Sequence, residues 1–301
     1  MTTLANPPEV KRDAPPVGTA DGDSGPSPTK GARHRPRKVL SLVIPPLIVL
    51  AIIIGFWYFM SYVVLDAERR FLLPPPQQVV EVGFLNWQNF SQILIGLWTS
   101  AKVAFCGLGI SIVLGMSFAI AMSQARWVER SFYPWAVIIQ TVPILALVPL
   151  IGFWFQYGFT SRTIICVMIS LFPIITNTLF GLKSVDRGHH DLFTLHRAGR
   201  LRRLWKLQLP AALPAIFTGF RIAAGLSVIG AIVGDFFFQQ GQAGIGRMID
   251  NYTESLQSQQ LFAAVIMAVL LGLSIFWAFG LLGRLVVGSW HESAHHVEDD
   301  S

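Results

Sequence analysis

Two histidines and a glutamate near the C-terminus form a pattern that is typical of zinc enzymes. His291-Glu-Ser-Ala-His295 matches H-E-x-x-H, in which the histidines bind the metal and the glutamate acts as general base. A working site also needs a stable helix, a third ligand and a sheltered cavity. Here the pattern lies in a polar tail that ends in Glu298, Asp299 and Asp300. We therefore interpret it as a chance match and keep a membrane metalloprotease as a remote alternative.

Other patterns for catalysis or cofactor binding do not occur in the sequence. There is no G-x-x-x-x-G-K-[ST], so the chain does not bind ATP through a P-loop, and there is no G-x-S-x-G or paired C-x-x-C. Cys106 and Cys166 both fall inside apolar runs and are interpreted as small hydrophobic residues. We predict that the chain is not an enzyme and that it binds no metal or cofactor itself.

Four polar side chains inside apolar runs are candidates for a translocation pathway. Arg221 and Asp235 share one run but lie too far apart along a helix, about 21 Å, to pair within it. Asp235 could line the mouth of a pathway or lie at the interface, and Arg221 could reach the inner interface by snorkelling. Gln140 and Thr141 precede Pro143, so they could face a pore or bond to the carbonyls that this proline leaves free.

The composition predicts that these residues lie in a membrane protein. Of 301 residues, 52% are apolar and only 13% are charged, about half the usual charged share of a globular protein. A spanning helix needs about 20 mostly apolar residues. Six such runs are present, the second of them after an amphipathic approach at Phe90–Thr99: Val39–Leu65, Ala101–Met122, Trp135–Phe155, Thr163–Leu182, Ile216–Phe238 and Leu261–Val287. The predicted fold is all-α and polytopic, with about six transmembrane helices.

Changes in composition along the chain suggest four regions. Residues 1–38 are poor in large apolar residues and are predicted to be a disordered cytoplasmic tail. Residues 39–89 hold the first transmembrane helix and an outer loop, in which Leu72–Glu81 carries three prolines and is predicted to be extended. Residues 90–287 form the core domain, with a polar loop at 183–214, and residues 288–301 form a second cytoplasmic tail.

The distribution of lysine and arginine predicts the orientation in the membrane. With both termini in the cytoplasm, six spans place 17 of these residues inside and four outside (Arg69, Arg70, Arg162 and Arg247). This asymmetry agrees with the positive-inside rule. It also explains the formal net charge of +6 better than nucleic-acid binding does, because the basic residues lie at the ends of apolar runs.

The loop between the fourth and fifth runs carries the most informative pattern. Leu192, Leu195 and Gly199 fall near one face of a short helix with basic residues around it. From periodicity alone, this helix could lie on the anionic inner leaflet or serve as a positively charged topological anchor.

The residues of this loop resemble the EAA loop of binding-protein-dependent ABC importer permeases. The resemblance lies in the segment from Asp191 to Pro214. Its last residues, Leu209-Pro210 followed by Ala-Ala-Leu-Pro, match the end of the motif well. Counting back from Pro210, Asp191 stands at the glutamate position, Leu192 and Phe193 at the two alanine positions, and Arg197 where a glycine is expected. The resemblance implies that Leu195 and Gly199 also belong to a coupling helix that seats in a groove on a cytoplasmic ATPase.

The resemblance covers about residues 90–287. Thr141-Val-Pro-Ile-Leu-Ala-Leu-Val-Pro is similar to the third span of nitrate, sulfonate and taurine permeases. Gly219-Phe-Arg-Ile-Ala-Ala-Gly225, Val233-Gly-Asp-Phe236 and Gly244-Ile-Gly246 are similar to the fifth span and the following loop. The run Leu207–Phe238 also resembles permeases for vitamin precursors such as the thiamine pyrimidine and riboflavin.

This resemblance implies a set of partners and a cellular location. The chain would form a dimer in a bacterial plasma membrane, with ATPase subunits that carry ATP and Mg²⁺ below it and a soluble binding protein above it. It would import a small solute, either a nitrate-, sulfonate- or taurine-like anion or a heterocyclic vitamin precursor. The alternative is a secondary transporter, which more often shows an inverted repeat; none is visible in this sequence.

Overall fold

The computed structural model describes residues 37–288, with side chains from residue 44 onward. Most of both predicted tails, including His291–His295, therefore lies outside the described residues. The chain divides into two units, Met1–Ala51 and Ile52–Ser301. The described part of the first unit is helical throughout, and all contacts given below lie within the second unit.

The first helix, α1, runs from Arg37 to Phe59 and begins two residues before the predicted run. Pro45 and Pro46 lie inside it, which membrane helices tolerate better than soluble ones do. In the second unit it ends in a π-helical turn, Met60–Val64. Ser61 in that turn is buried, and its hydroxyl donates to the carbonyl of Leu73 at 2.8 Å.

The remaining described chain is helical, with short connections. A 3₁₀ turn, Ala67–Leu72, is followed by α2 (Pro76–Val79), a π turn (Val80–Leu85), α3 (Trp87–Gln124), α4 (Arg126–Thr141), α5 (Ile144–Phe155), α6 (Phe159–Lys183), α7 (Arg187–Leu195), α8 (Arg200–Arg203), a π turn (Leu204–Gln208), α9 (Leu209–Phe237), α10 (Ile245–Glu254) and α11 (Ser258–Val287). Within residues 37–288, five helices are long and apolar enough to cross a membrane, and a sixth span is obtained if α4 and α5 form one broken span. The predicted fold, all-α with about six transmembrane helices, is confirmed.

The third predicted span is not one straight helix. The axes of α4 and α5 differ by 97°. The break lies at Val142 and Pro143, and Val142 has the extended conformation (φ −62°, ψ 129°) that a following proline favours. Because Pro143 has no N–H, it cannot continue the hydrogen bonds of α4 either. The apolar run Trp135–Phe155 is therefore divided between two helices.

One expectation about the outer segments is corrected. The stretch Leu72–Glu81 was predicted to be extended, but Pro76 opens the helix α2, because a missing N–H costs nothing in the first helical turn. Pro75, just before it, is extended as expected (φ −64°, ψ 149°). The segment between α9 and α11 contains the amphipathic helix α10, for which no prediction was made from the sequence.

Small residues bring α3, α6 and α9 into close contact. Cys166 of α6 is fully buried, and its Sγ lies 3.2 Å from the carbonyl oxygen of Ser227 in α9. A Cβ on Gly230 would lie 2.7 Å from the Cα of Cys166, and one on Gly234 would lie 3.0 Å from the Cα of Arg162. The two glycines of this G-x-x-x-G pattern therefore let the backbone of α9 approach that of α6.

Candidate functional site: the loop helix and a buried ion pair

Helix α7 presents an apolar face that packs against little of its own chain. It spans Arg187–Leu195 inside the loop that resembles the EAA motif. The side chain of Leu192 is 50% exposed and that of Leu195 is 81% exposed, whereas Phe193 is half-buried. Asp191, at the glutamate position of the motif, is also exposed. Leu192 and Leu195 lie three residues apart, so they form one exposed apolar face of this short helix.

The end of α7 is a Schellman motif centred on Arg197. The N–H of Arg197 donates to the carbonyl of Thr194 at 2.9 Å, and the N–H of Ala198 donates to the carbonyl of Phe193 at 2.9 Å. These are the two bonds that define the motif, and it requires a left-handed residue that is usually glycine. Arg197 occupies that position with a φ of 49°.

This geometry explains why the motif of the loop has a glycine where this chain has Arg197. Gly199, two residues later, has a φ of −63° and precedes the short helix α8. A Cβ added at Gly199 would meet nothing within 4 Å. Gly199 therefore does not take the place of the expected glycine. Counting back from Pro210 gave Arg197 as that position, and Arg197 is the residue with the left-handed backbone.

The loop helix is bonded to the segment that leads into α9. The Nη2 of Arg203 donates to the hydroxyl of Thr194 at 2.9 Å. From Arg200 to Phe237 the chain is helical through α8, a π turn and α9. Leu209 is half-buried and packs against a cluster that includes Leu182 and Ile216, while Pro210 is exposed. Since Pro210 has no N–H to donate to a carbonyl one turn earlier, the π turn Leu204–Gln208 lies where the helical hydrogen bonds are interrupted.

A buried ion pair lies near the other end of α9. Asp235 is fully buried, and its Oδ1 lies 3.0 Å from the Nη1 of Arg162 in α6, which is 2% exposed. The hydroxyl of Ser100 in α3 donates to the other carboxylate oxygen. Three helices are thus joined by one charged cluster, and the pairing offsets the cost of placing both charges in an apolar interior.

The guanidinium of Arg162 also holds the loop that follows α9. Its Nε donates to the carbonyl of Phe238 at 3.1 Å, and its two terminal nitrogens donate to the carbonyls of Gln240 (3.0 Å) and Gln242 (3.1 Å). Phe238 is fully buried among residues of α5 and α6. A single side chain therefore binds three carbonyls of the chain between Phe238 and Gln242.

The turn Gly244-Ile245-Gly246 closes over Asp235. The N–H of Ile245 donates to the Ser100 hydroxyl at 2.8 Å. A Cβ on Gly244 would collide with the Asp235 carboxylate, and one on Gly246 would lie 2.8 Å from the Cβ of Asp235. These glycines are required because the backbone passes directly over a buried charged group.

The structure places the predicted pathway residues at separate positions. Gln140 and Thr141 are exposed at the end of α4, and the Thr141 hydroxyl donates to the carbonyl of Ile138 at 3.0 Å. Arg221 is exposed on α9, and its Cζ lies 4.0 Å from the centre of the Phe276 ring. Asp235 is enclosed by its own chain rather than open to a pathway.

Arg162 was predicted only as one of the outer basic residues, and its place in this site was not predicted. It lies in the first turn of α6, beside the predicted span, where a basic residue is ordinarily an interfacial anchor. The available signal was Asp235, because a carboxylate inside a span is expected to have a cationic partner. Arg162 lies near the same end of its span as Asp235 does.

Long apolar helices, with an exposed polar loop helix bonded to one of them, are the architecture of a polytopic membrane protein. Residues 111–288 match the family described as binding-protein-dependent transport system inner membrane component. The chain belongs to this family, and it is a permease subunit of the ABC importer type.

Relatives with named roles cover most of the chain. The formylaminopyrimidine transport permease protein ThiX of Halalkalibacterium halodurans is 32% identical over 77% of this chain and 93% of its own length. The riboflavin transport system permease protein RibX of Chloroflexus aurantiacus is 29% identical over 82% of this chain and 91% of its own length. The putative aliphatic sulfonates transport permease protein SsuC of Escherichia coli is 29% identical over 82% of this chain and 90% of its own length.

A solved structure has the same fold. A chain in the crystal structure of an amino acid ABC transporter with histidines superposes with a TM-score of 0.51 at 17% identity. The match covers 68% of this chain and 97% of that chain. At this identity the likeness concerns the fold alone.

Proposed function

We propose that two copies of this chain form the translocation pathway of an importer that is driven by separate ATPase subunits and supplied by a soluble binding protein. The observation that carries the proposal is α7, a capped helix whose leucines are exposed in the chain. The ATPase subunits would carry ATP and Mg²⁺. The complex would lie in a bacterial plasma membrane with both termini in the cytoplasm, as the basic residues predict.

The docking surface for the ATPase consists of Leu192 and Leu195, supported by Phe193. In the family that this loop resembles, small residues at the positions of Leu192, Phe193 and Arg197 allow a close fit to a groove on the ATPase. Here the alanine positions hold Leu192 and Phe193, so the groove on the partner would have to be larger. Arg197 would add a charged contact, because a guanidinium that becomes buried at the interface needs a carboxylate or a carbonyl group of the ATPase as its partner.

Movement of α7 would reach the membrane through α9. The bond between Arg203 and Thr194 joins α7 to the helical segment that continues as α9. Helix α9 packs closely against α6 through Gly230 and Gly234. A displacement of α7 when ATP is bound would therefore tilt α9 and change access to the pathway, with Gln140, Thr141 and Arg221 as its candidate lining residues.

The substrate class is proposed from the relatives. Their names include formylaminopyrimidine, riboflavin, aliphatic sulfonates, taurine and nitrate. We infer a small solute that is either such an anion or a heterocyclic vitamin precursor. Arg221 and Arg284 line one cavity of about 250 Å³ together with Phe217 and Phe279. Two cations and two aromatic rings would suit either class.

Reconstitution tests this proposal against a secondary transporter. The chain is placed in proteoliposomes with its ATPase and with binding protein loaded with labelled formylaminopyrimidine, taurine or nitrate. We expect uptake that requires ATP inside together with both partners. Uptake that proceeds without the ATPase and follows an imposed ion gradient would contradict the proposal.

A further inference from the structure

A basic cleft opens where α3 ends, α4 begins and α6 ends. Its volume is about 750 Å³, within the range of small-molecule sites. It is lined by Met122, Arg126, Glu129, Arg130, Tyr133 and Lys183, among others. The predicted orientation places this end of the helices on the cytoplasmic side of the membrane.

The charges of the cleft leave two arginines available for an anion. Glu129 forms an ion pair with Lys183. Arg126 and Arg130 are exposed, and within residues 44–288 neither has a carboxylate within 4.0 Å. They lie one turn apart on α4, so both guanidinium groups can face the same group. The cleft therefore has a net positive charge.

An apolar groove begins at the side of this cleft. Its volume is about 350 Å³, and Met122 lines both spaces. The other residues of the groove are apolar, and most are large: Phe118, Phe132, Trp135, Ala136, Ile139, Leu171 and Ile175. On α4 the groove residues recur at helical spacing, and the cleft residues recur at the same spacing on the neighbouring face of the helix. The charged cleft thus continues into the apolar groove along the amphipathic helix α4.

We propose that the cleft and the groove together bind one anionic phospholipid. Its phosphate contacts Arg126 and Arg130, and one acyl chain lies in the groove beside Phe118 and Phe132. Basic pockets between transmembrane helices on the cytoplasmic side are suited to anionic headgroups. A soluble phosphate would fill the cleft and leave the groove empty, whereas a lipid fills both.

The position of the site gives the lipid a structural role. Helix α4 is the first arm of the pair that is bent by 97°. Its contacts with α3 and α6 include the ring pair Phe118–Phe132, with centres 5.9 Å apart, and the ion pair of Glu129 with Lys183. A bound lipid would fill the space between these contacts and hold α4 against the other two helices.

Retention of lipid by the purified full-length chain tests the proposal. The chain is mixed in detergent with phosphatidylglycerol or phosphatidylcholine, and bound lipid is counted by native mass spectrometry. We expect preferential retention of phosphatidylglycerol. The double variant Arg126→Gln with Arg130→Gln should bind phosphatidylglycerol about thirtyfold more weakly, because each arginine contributes about 1 kcal/mol to the binding free energy.

The control is Arg200→Gln with Arg202→Gln, which removes two exposed arginines outside the cleft and should leave retention unchanged. An unchanged elution profile and melting temperature show that both double variants are folded.

A second arm distinguishes a lipid from a free anion. Phosphatidylglycerol with a photoreactive group on its acyl chain should crosslink to peptides within 118–139 or 171–175. An excess of glycerol phosphate should not displace it. The proposal would be overturned if both lipids were retained equally, or if the Arg126/Arg130 variant retained phosphatidylglycerol as well as the parent does. Crosslinks to other peptides, or displacement by glycerol phosphate, would also overturn it.

Discussion

Arg162 joins a helix to the loop that follows α9, because its guanidinium contacts one carboxylate and three loop carbonyls. Removing one partner of a buried ion pair typically costs about 3–5 kcal/mol, since the other charge is left without compensation. We expect Arg162→Ala and Asp235→Asn each to lower the melting temperature in detergent strongly. Arg247→Ala is the control, because that side chain donates to one carbonyl of the same loop at an exposed position and should cost only about 1 kcal/mol.

The same pair can be tested for coupling. If Arg162 and Asp235 act together, the double variant Arg162→Ala with Asp235→Ala should lose less stability than the sum of the two single changes. Strictly additive losses, or single changes no worse than Arg247→Ala, would show that this ion pair does not hold the loop.

Arg197 allows a prediction in which a substitution improves the local structure. A left-handed backbone costs a non-glycine residue about 1–2 kcal/mol, so Arg197→Gly should stabilise the end of α7. Arg197→Val should weaken it, because branching at Cβ is least compatible with positive φ. Hydrogen exchange at the amides of Arg197 and Ala198 measures both effects. Gly199→Ala is the control, since a Cβ there meets nothing, and a larger effect at Gly199 than at Arg197 would contradict the assignment.

Among single residues, the sequence singled out Asp235 but not the residue that pairs with it. Asp235 was selected because a carboxylate in a span is costly, but its partner comes from a helix more than 70 positions earlier in the chain. Such a pairing depends on how α6 and α9 pack, which no local pattern encodes. The position of Arg197 was predicted because the spacing from Pro210 is local.

Among the elements, α7 is the one on which the proposed function depends. If it docks on the ATPase, Leu195→Ala should weaken copurification of the ATPase by about 1–2 kcal/mol, because an anchor that is 81% exposed in the free chain becomes buried. Phe193→Ala should act in the same direction. Leu85→Ala is the matched control, a leucine that is 75% exposed on the predicted outer side. Normal copurification and transport by both α7 variants would exclude α7 as the contact.

Elements were predicted well where a long apolar run defines them, and poorly where a single residue alters them. The runs that became α3, α6, α9 and α11 were located from length and hydropathy. The bend at Pro143 was not predicted, because proline is common in straight membrane helices and only packing determines whether the chain turns. Helix α10 was missed since it is short and amphipathic, between two spans.

For the whole molecule, orientation is the prediction most open to test. The asymmetry of basic residues predicts six crossings with both termini inside. Single cysteines introduced at Ser24, Asn251 and Ser293 are labelled with an impermeant reagent in intact cells, against the parent protein as baseline. We expect labelling of Asn251→Cys only, and labelling at Ser24 or Ser293 would refute the topology.

The family was predictable from the sequence because its most informative motif lies in one continuous loop. The pathway was not, because it would form between two copies and its lining residues depend on that interface. The sequence therefore gives a proposed docking surface for an ATPase, on α7, but no comparable surface for the substrate.

Site-specific crosslinking tests the central claim, that α7 docks on the ATPase, most directly. A photoreactive phenylalanine analogue replaces Leu195 in the complex of permease and ATPase, and a second sample carries it at Leu85. We expect a permease–ATPase adduct from position 195, with a yield that changes when ATP is bound, and none from position 85. An absence of adduct at 195 in a complex that copurifies and transports normally would contradict it.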